Sequence, residues 1–333
     1  MGKTAVLIFC LVLFSMTLAT AQPTRRAPQD SDAIIPLSDI HMRDVCILPD
    51  TATQTYYMVG PGWNSVRVYT SKDLKMWQGP KTIFQTPDDI WGDIKVIGIW
   101  APEMHKYMGK YYLFLTFDTR HMWQEQWRNW RPRVTRGSQI LVSDEPTGPF
   151  TPFANHSTLP ADMMTLDGTL WIEDGVPYMV FCHEWVQICN GTIEYIRLKE
   201  DLSETVGEPI KIFHASAAPW PKTDEEDGNT VTDGPYLYTG KTGKLYMVWS
   251  SYTNTGYTEG IAISESGKLA GPWQHQATPL YTKNGGHGML FTTFDGKLMN
   301  VLHSPNNREA QPRIFEMEDT GETLRIVNEF TGK

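Results

Sequence analysis

The sequence predicts an all-β chain folded as a five-bladed β-propeller, and three observations predict it. Five times the chain forms a short strand of aromatic and aliphatic residues: Tyr56–Val59, Tyr111–Leu115, Tyr178–Phe181, Leu245–Trp249 and Leu298–Leu302. Four of these strands follow a glycine turn, at Gly109, Gly175, Gly243 and Gly296, and glycine between two apolar runs is a hairpin signal. The copies recur at about 50–70 residues, the length of a three- or four-stranded blade, and long helical periodicity is absent.

The elements follow in chain order. Lys3, the apolar run Val6–Leu18 and the small residues of Ala19-Thr20-Ala21 make residues 1–21 a predicted signal peptide, too short for a comfortable membrane span. This places the protein outside the cytoplasm, secreted or periplasmic, with no membrane insertion after cleavage. Residues 22–32 are polar, contain two prolines and read as a disordered lead-in. Residues 33–333 are expected to form a single propeller domain that carries the active site. The apolar stretch Ala33–Leu37 is expected to close the ring by joining the last blade, which holds Ile314–Glu316 and Leu324–Val327. Third strands appear as Val66–Tyr69, Ile140–Val142, Ile193–Leu198 and Ile261–Ile263, and Gly148-Pro149-Phe150 and Gly271-Pro272-Trp273 are near-identical exits. A generic β-sandwich would not repeat turn, strand and exit in one order.

Composition narrows the partners. A net charge of −9 disfavours nucleic acid and anionic membranes, which select basic surfaces. A neutral partner such as a carbohydrate suits the 12 tryptophans better. Past the leader the chain keeps only Cys46, Cys182 and Cys189, so it is no disulfide scaffold, although Cys182 and Cys189 are near enough in sequence to close a small loop. The basic, aromatic segment Arg120–Arg136 is expected to be a rim loop. The oligomeric state is left open.

Each repeat has an equivalent slot about a dozen residues ahead of its aromatic strand, where the innermost strand begins at the axis. The occupants are Asp44, Glu103, Asp167, Asp233 and His287. Clustered buried charge is costly unless it has a role. Glycosidic hydrolysis needs one carboxylic acid to protonate the leaving oxygen and one carboxylate to activate water; a third acidic group can hold the first one's proton. Trp63, Trp91, Trp100 and Trp185 fall near the same face and offer rings on which a sugar can stack.

These residues resemble glycoside hydrolase family 43 over nearly the whole mature chain. Trp100-Ala101-Pro102-Glu103 followed by Gly109-Lys110-Tyr111 is similar to the family's second-blade signature, Arg43-Asp44 to the site of its general base, and Leu166-Asp167-Gly168 to the aspartate that tunes the acid. Gly286-His287-Gly288 resembles the fifth-blade site, where some members hold a hydrated cation. The resemblance implies inverting hydrolysis of plant-type polysaccharide or its side chains, α-L-arabinofuranosidase-like first, with β-galactosidase, β-xylosidase or a non-catalytic carbohydrate-binding propeller as alternatives. It requires no cofactor, assigns no residue as a direct metal ligand, and allows an axial cation such as calcium near His287. The family's general acid is a glutamate before Gly-Pro; here Asp233-Gly234-Pro235 stands there. The acid role is therefore open between Asp233 and Glu184, with Glu103 as a third option that reads more readily as a substrate contact. Trp100, Trp185, Trp63 and His287 complete the expected substrate site.

Overall fold

The computed structural model describes residues 29–224 and 228–332; the predicted signal peptide, and the lead-in as far as residue 28, lie outside them. Five antiparallel sheets surround one axis. Blade one comprises β1 (Ile34–Pro36), β2 (Cys46–Asp50), β3 (Thr55–Gly62), β4 (Ser65–Ser71) and β5 (Met76–Gln85). Blade two is β6 (Val96–Tyr107), β7 (Lys110–Thr119), β8 (Gly137–Ser143) and β9 (Thr151–Pro152). Blade three is β10 (Thr165–Glu173), β11 (Val176–His183), β12 (Thr192–Leu198) and β13 (Thr205–His214). Blade four is β14 (Asp233–Thr239), β15 (Leu245–Thr253), β16 (Gly256–Ser264) and β17 (Trp273–His275). Blade five is β18 (Gly286–Thr292), β19 (Leu298–Ser304), β20 (Gln311–Asp319) and β21 (Leu324–Phe330).

The strands predicted from aromatic runs are the second strands, β3, β7, β11, β15 and β19. They are almost wholly buried because both faces pack against neighbouring blades: Met58, Leu113, Phe114, Phe181, Trp249 and Val301 have no exposed surface. The glycine turns before them hold Gly109, Gly175, Gly243 and Gly296 at φ of 79–85°, a region closed to most side chains.

Ring closure differs from the expectation. β1 does not join the last blade; it pairs with β5, with Ile34 opposite Gln78. Blade five is complete, since β21 already occupies its outer edge. The ring instead closes through side chains. Tyr56 Oη accepts the Phe294 N–H at 3.0 Å, and Met289, Phe291 and Ile314 share one apolar cluster with Met58 and Val59. The described end of the lead-in is also held. Ser31 N–H donates to Pro80 O at 2.8 Å, and Asp30 Oδ1 accepts the Thr82 N–H at 2.9 Å.

Two further features frame the axis. A short helix, α1 (Trp185–Ile188), interrupts the β11–β12 connection. The 120–136 segment between β7 and β8 packs onto it: Trp130 Nε1 donates to Val186 O at 2.6 Å and Arg133 Nη2 to Gln187 O at 2.7 Å. The three cysteines among the described residues are free, with Cys46 and Cys182 buried, so no bond joins Cys182 to Cys189.

Candidate active site at the propeller axis

Five backbone positions near the axis adopt positive φ: Asp44 at 49°, Ala101 at 40°, Asp167 at 56°, Gly234 at 50° and His287 at 55°. Four coincide with a register break where the inner strand leaves the ladder, between Trp100 and Glu103, Leu166 and Thr169, Asp233 and Tyr236, and Gly286 and Met289. Left-handed backbone is unfavourable for a residue with a side chain, by about 1–2 kcal/mol, so its recurrence at equivalent places marks a shared device. At Gly234 a Cβ would stand 2.8 Å from the His287 ring, which leaves glycine as the fit.

Three of these amides are held by side chains of the preceding blade's second strand. Asp167 N–H donates to Thr116 Oγ1 at 3.0 Å, His287 N–H to Ser250 Oγ at 2.8 Å, and Asp44 N–H to His303 Nδ1 at 3.3 Å. At Asp167 and His287, local bulge and neighbouring blade together aim the slot.

The bulges also correct the slot assignment. In blade two the equivalent residue is Ala101, and Glu103 lies two residues further along β6. Glu103 is buried, bonded to His105 Nε2 at 2.9 Å, and is not among the residues lining the axial cavity. The bulge turns it off the axial slot and into this pair with His105. In blade four the slot belongs to Gly234, and Asp233 precedes the bulge yet still faces the cavity.

That cavity, about 770 Å³, brings together Asp44, Asp167, Glu184, Asp233 and His287 with Trp100 and Trp185. One imidazole spans two of the acids: His287 Nδ1 lies 3.6 Å from Asp44 Oδ1 and 3.9 Å from Asp167 Oδ2. His303 Nδ1 sits 3.2 Å from Asp44 Oδ1. Burial alone would push the Asp44 carboxyl up, but His287, His303 and Arg43 outweigh it and hold the group well below the usual carboxylate range. Asp233 goes the other way: burial and the Asp167 charge push it up to about 8, against the smaller pull of His287 and Tyr257. Asp167 is also raised, by burial first and then by Asp44, Glu103 and Glu184, although Gly234 N–H donates to its Oδ2 at 3.0 Å. One cavity thus sets an aspartate favoured as its carboxylate, Asp44, beside one favoured as its acid, Asp233.

Glu184 is differently placed. Burial raises its pKa, yet Arg136 Nη1 contacts both carboxylate oxygens at 2.6 Å, and an acceptor-only pairing of this kind keeps the ionised form. Arg136 also bonds Asp118 at 2.7 Å and lies 4.1 Å over the Trp100 ring. Trp185 forms cavity wall with Arg131 5.3 Å from its ring. Trp91 is core, its Nε1 donating to Gln139 Oε1 at 2.6 Å. Trp63 lies outside the axial cavity, on an adjoining groove.

Sequence reading missed His303, Tyr257 and Arg136. The rule that pointed to Glu184 would have found His303, since both sit at the end of a second strand, beside the start of the first. Tyr257 and Arg136 come from a third strand and a rim loop, and no repeat marks them. Among the described residues no three His, Cys, Asp or Glu side chains are grouped to hold a metal ion, and His287 Nδ1 faces two carboxylates.

Known proteins share this architecture. Residues 35–326 match the family described as Glycosyl hydrolases family 43. The crystal structure of an endo-arabinase from Bacteroides thetaiotaomicron superposes with a TM-score of 0.76 at 38% identity, covering 90% of this chain and 98% of that one. Alpha-L-arabinofuranosidase B of Pyricularia oryzae is 24% identical over 61% of this chain and 42% of its own length. An extracellular exo-alpha-(1->5)-L-arabinofuranosidase of Streptomyces avermitilis is 25% identical over 63% and 44%. The chain therefore spans less than half the length of these two relatives.

Proposed function

Because the chain belongs to glycosyl hydrolase family 43, we propose that it is an inverting glycosidase with Asp44 as general base, Asp233 as general acid and Asp167 as the group that keeps the acid protonated. The observation that carries this is the contrast of surroundings in one cavity: Asp44 stands against His287 and His303, whereas Asp233 is buried beside Asp167, so the first is favoured ionised and the second protonated. Asp44 draws a proton from water as the water oxygen bonds to the anomeric carbon. The bond from that carbon to the leaving oxygen breaks, and Asp233 gives its proton to that oxygen. Exchange with solvent restores both groups. Tyr257 occupies Asp233 Oδ2 as a donor at 3.0 Å, which directs the acid's proton to Oδ1. Glu184 is the weaker acid candidate, since both its oxygens face a guanidinium; it fixes Arg136 against the Trp100 ring.

α-1,5-Linked arabinan is the first-choice substrate, supported by the arabinose-directed names of the similar proteins. Secretion is supported by the leader-like N-terminus and by the extracellular Streptomyces relative. The described residues contain no helix long and apolar enough to cross a membrane. The test is a panel of nitrophenyl glycosides together with arabinan, arabinoxylan and galactan, with the anomer of the first product read by NMR. Release of an inverted sugar is expected. A retained anomer, or sugar binding without cleavage, would overturn the proposal.

A further inference from the structure

The axial cavity continues beyond its rim. A second groove of about 320 Å³ lies at the junction of blades one and two and shares Pro61, Ile99 and Trp100 with the cavity. Trp63 belongs to this groove alone. At 78% it is the most exposed large hydrophobic side chain among the described residues. It occupies the two-residue tip of the β3–β4 hairpin, between the paired Gly62 and Ser65, where small residues tolerant of positive φ are favoured. A bulky indole gains no packing there.

The backbone beneath it is nevertheless held. Trp63 O accepts the Ile99 N–H at 3.4 Å, and Asn64 O accepts the Thr86 N–H at 2.9 Å and the Gln85 side-chain amide at 2.8 Å. A large flat ring on a fixed backbone loses little freedom when something stacks on it. The groove's acidic side chain, Asp118, is already paired with Arg136. What remains is apolar, which suits the C–H face of a sugar better than a charged ligand.

Resting on the glycosidase reading of the axial cavity, we infer that Trp63 is the platform of a distal sugar subsite. The substrate is a polysaccharide chain that runs from the axial acids past Trp100 onto the blade-one hairpin. The occupant follows from continuity: a glycan filling the cavity meets the groove through three shared residues.

The test compares wild type, Trp63→Ala and Trp63→Phe on debranched arabinan, arabinoxylan and galactan, and on the matching nitrophenyl monoglycosides, which carry too few rings to reach the hairpin. For the polymer that wild type cleaves, the ratio of its kcat/KM to that of the monoglycoside falls roughly tenfold in Trp63→Ala, about the weight of one stacking contact. The loss lies mainly in KM and is largely restored in Trp63→Phe. An unchanged ratio overturns the platform and leaves the glycosidase reading intact. Should wild type cleave nothing, that reading fails, and retardation in gels containing each polymer decides the platform. Weaker retardation of Trp63→Ala upholds it; equal or absent retardation overturns it.

Discussion

The Tyr257 hydroxyl donates a 3.0 Å hydrogen bond to one carboxylate oxygen of Asp233. It therefore stabilises the residue without taking its proton, and that proton remains on the oxygen left free. Tyr257 is itself buried, its hydroxyl pushed well up by burial and by the Asp233 charge, so it stays a donor across the working pH range.

The acid assignment is tested by leaving-group dependence. Asp233→Asn should lower hydrolysis of an arabinan bond by about 10²–10⁴-fold. A dinitrophenyl arabinoside, whose leaving group departs unprotonated, should be largely spared. Glu184→Gln should affect the two substrates about equally, as expected of a positioning residue. A large differential in Glu184→Gln would transfer the acid role to Glu184.

Asp44→Asn keeps shape and removes the proton acceptor. Turnover should fall by about 10²–10⁴-fold while arabino-oligosaccharide binding, measured by calorimetry, survives. Near-normal turnover in this variant would mean that another group activates the water.

The pH profile follows from the raised aspartates. Asp233 holds its proton to about pH 8, so kcat/KM should show an alkaline limb near there. Asp167→Asn removes a negative neighbour, the proton leaves more easily, and the limb should move at least about one pH unit lower. Stability carries the same sign. A carboxyl raised from 3.8 to about 8 favours the fold fully below pH 3.8, and this contribution is lost as pH rises through 8. The thermal midpoint of Asp233→Asn relative to wild type should accordingly be higher at pH 8.5 than at pH 4, read by calorimetry.

Arg136 and Glu184 are both nearly buried, at 12% and 6% side-chain exposure. Arg136→Met strands the carboxylate and should destabilise the protein by about 3–5 kcal/mol in urea denaturation. Adding Glu184→Gln should recover much of that loss, because the uncompensated charge is gone. Equal stability of Arg136→Met and wild type would show that the pair does not hold the rim.

The residues that made the fold legible were those under local constraint. The glycines before the second strands and the aromatic runs they introduce are visible in order because each hairpin must form its own turn and bury both faces. Asp44, Asp167 and His287 were legible for a related reason: each takes the same left-handed turn of backbone at the start of its blade, and that turn repeats with the blade. Glu103 was misread because spacing counts residues, whereas the bulge at Ala101–Pro102 changes which residue faces the axis. The register break is settled by pairing with β7, which one strand's sequence does not disclose.

The sequence by itself determined the number of blades, the family resemblance and five of the axial groups, Asp44, Asp167, Glu184, Asp233 and His287, because these depend on patterns within about 50–70 residues, the span of one blade. Only the tertiary structure decided the rest. It showed that β1 lies on blade one, that Arg136 engages Glu184, and that Tyr257 and His303 meet Asp233 and Asp44. Each of these contacts joins segments distant in the chain, and their energies depend on burial and on distances of a few ångströms, which no local pattern encodes.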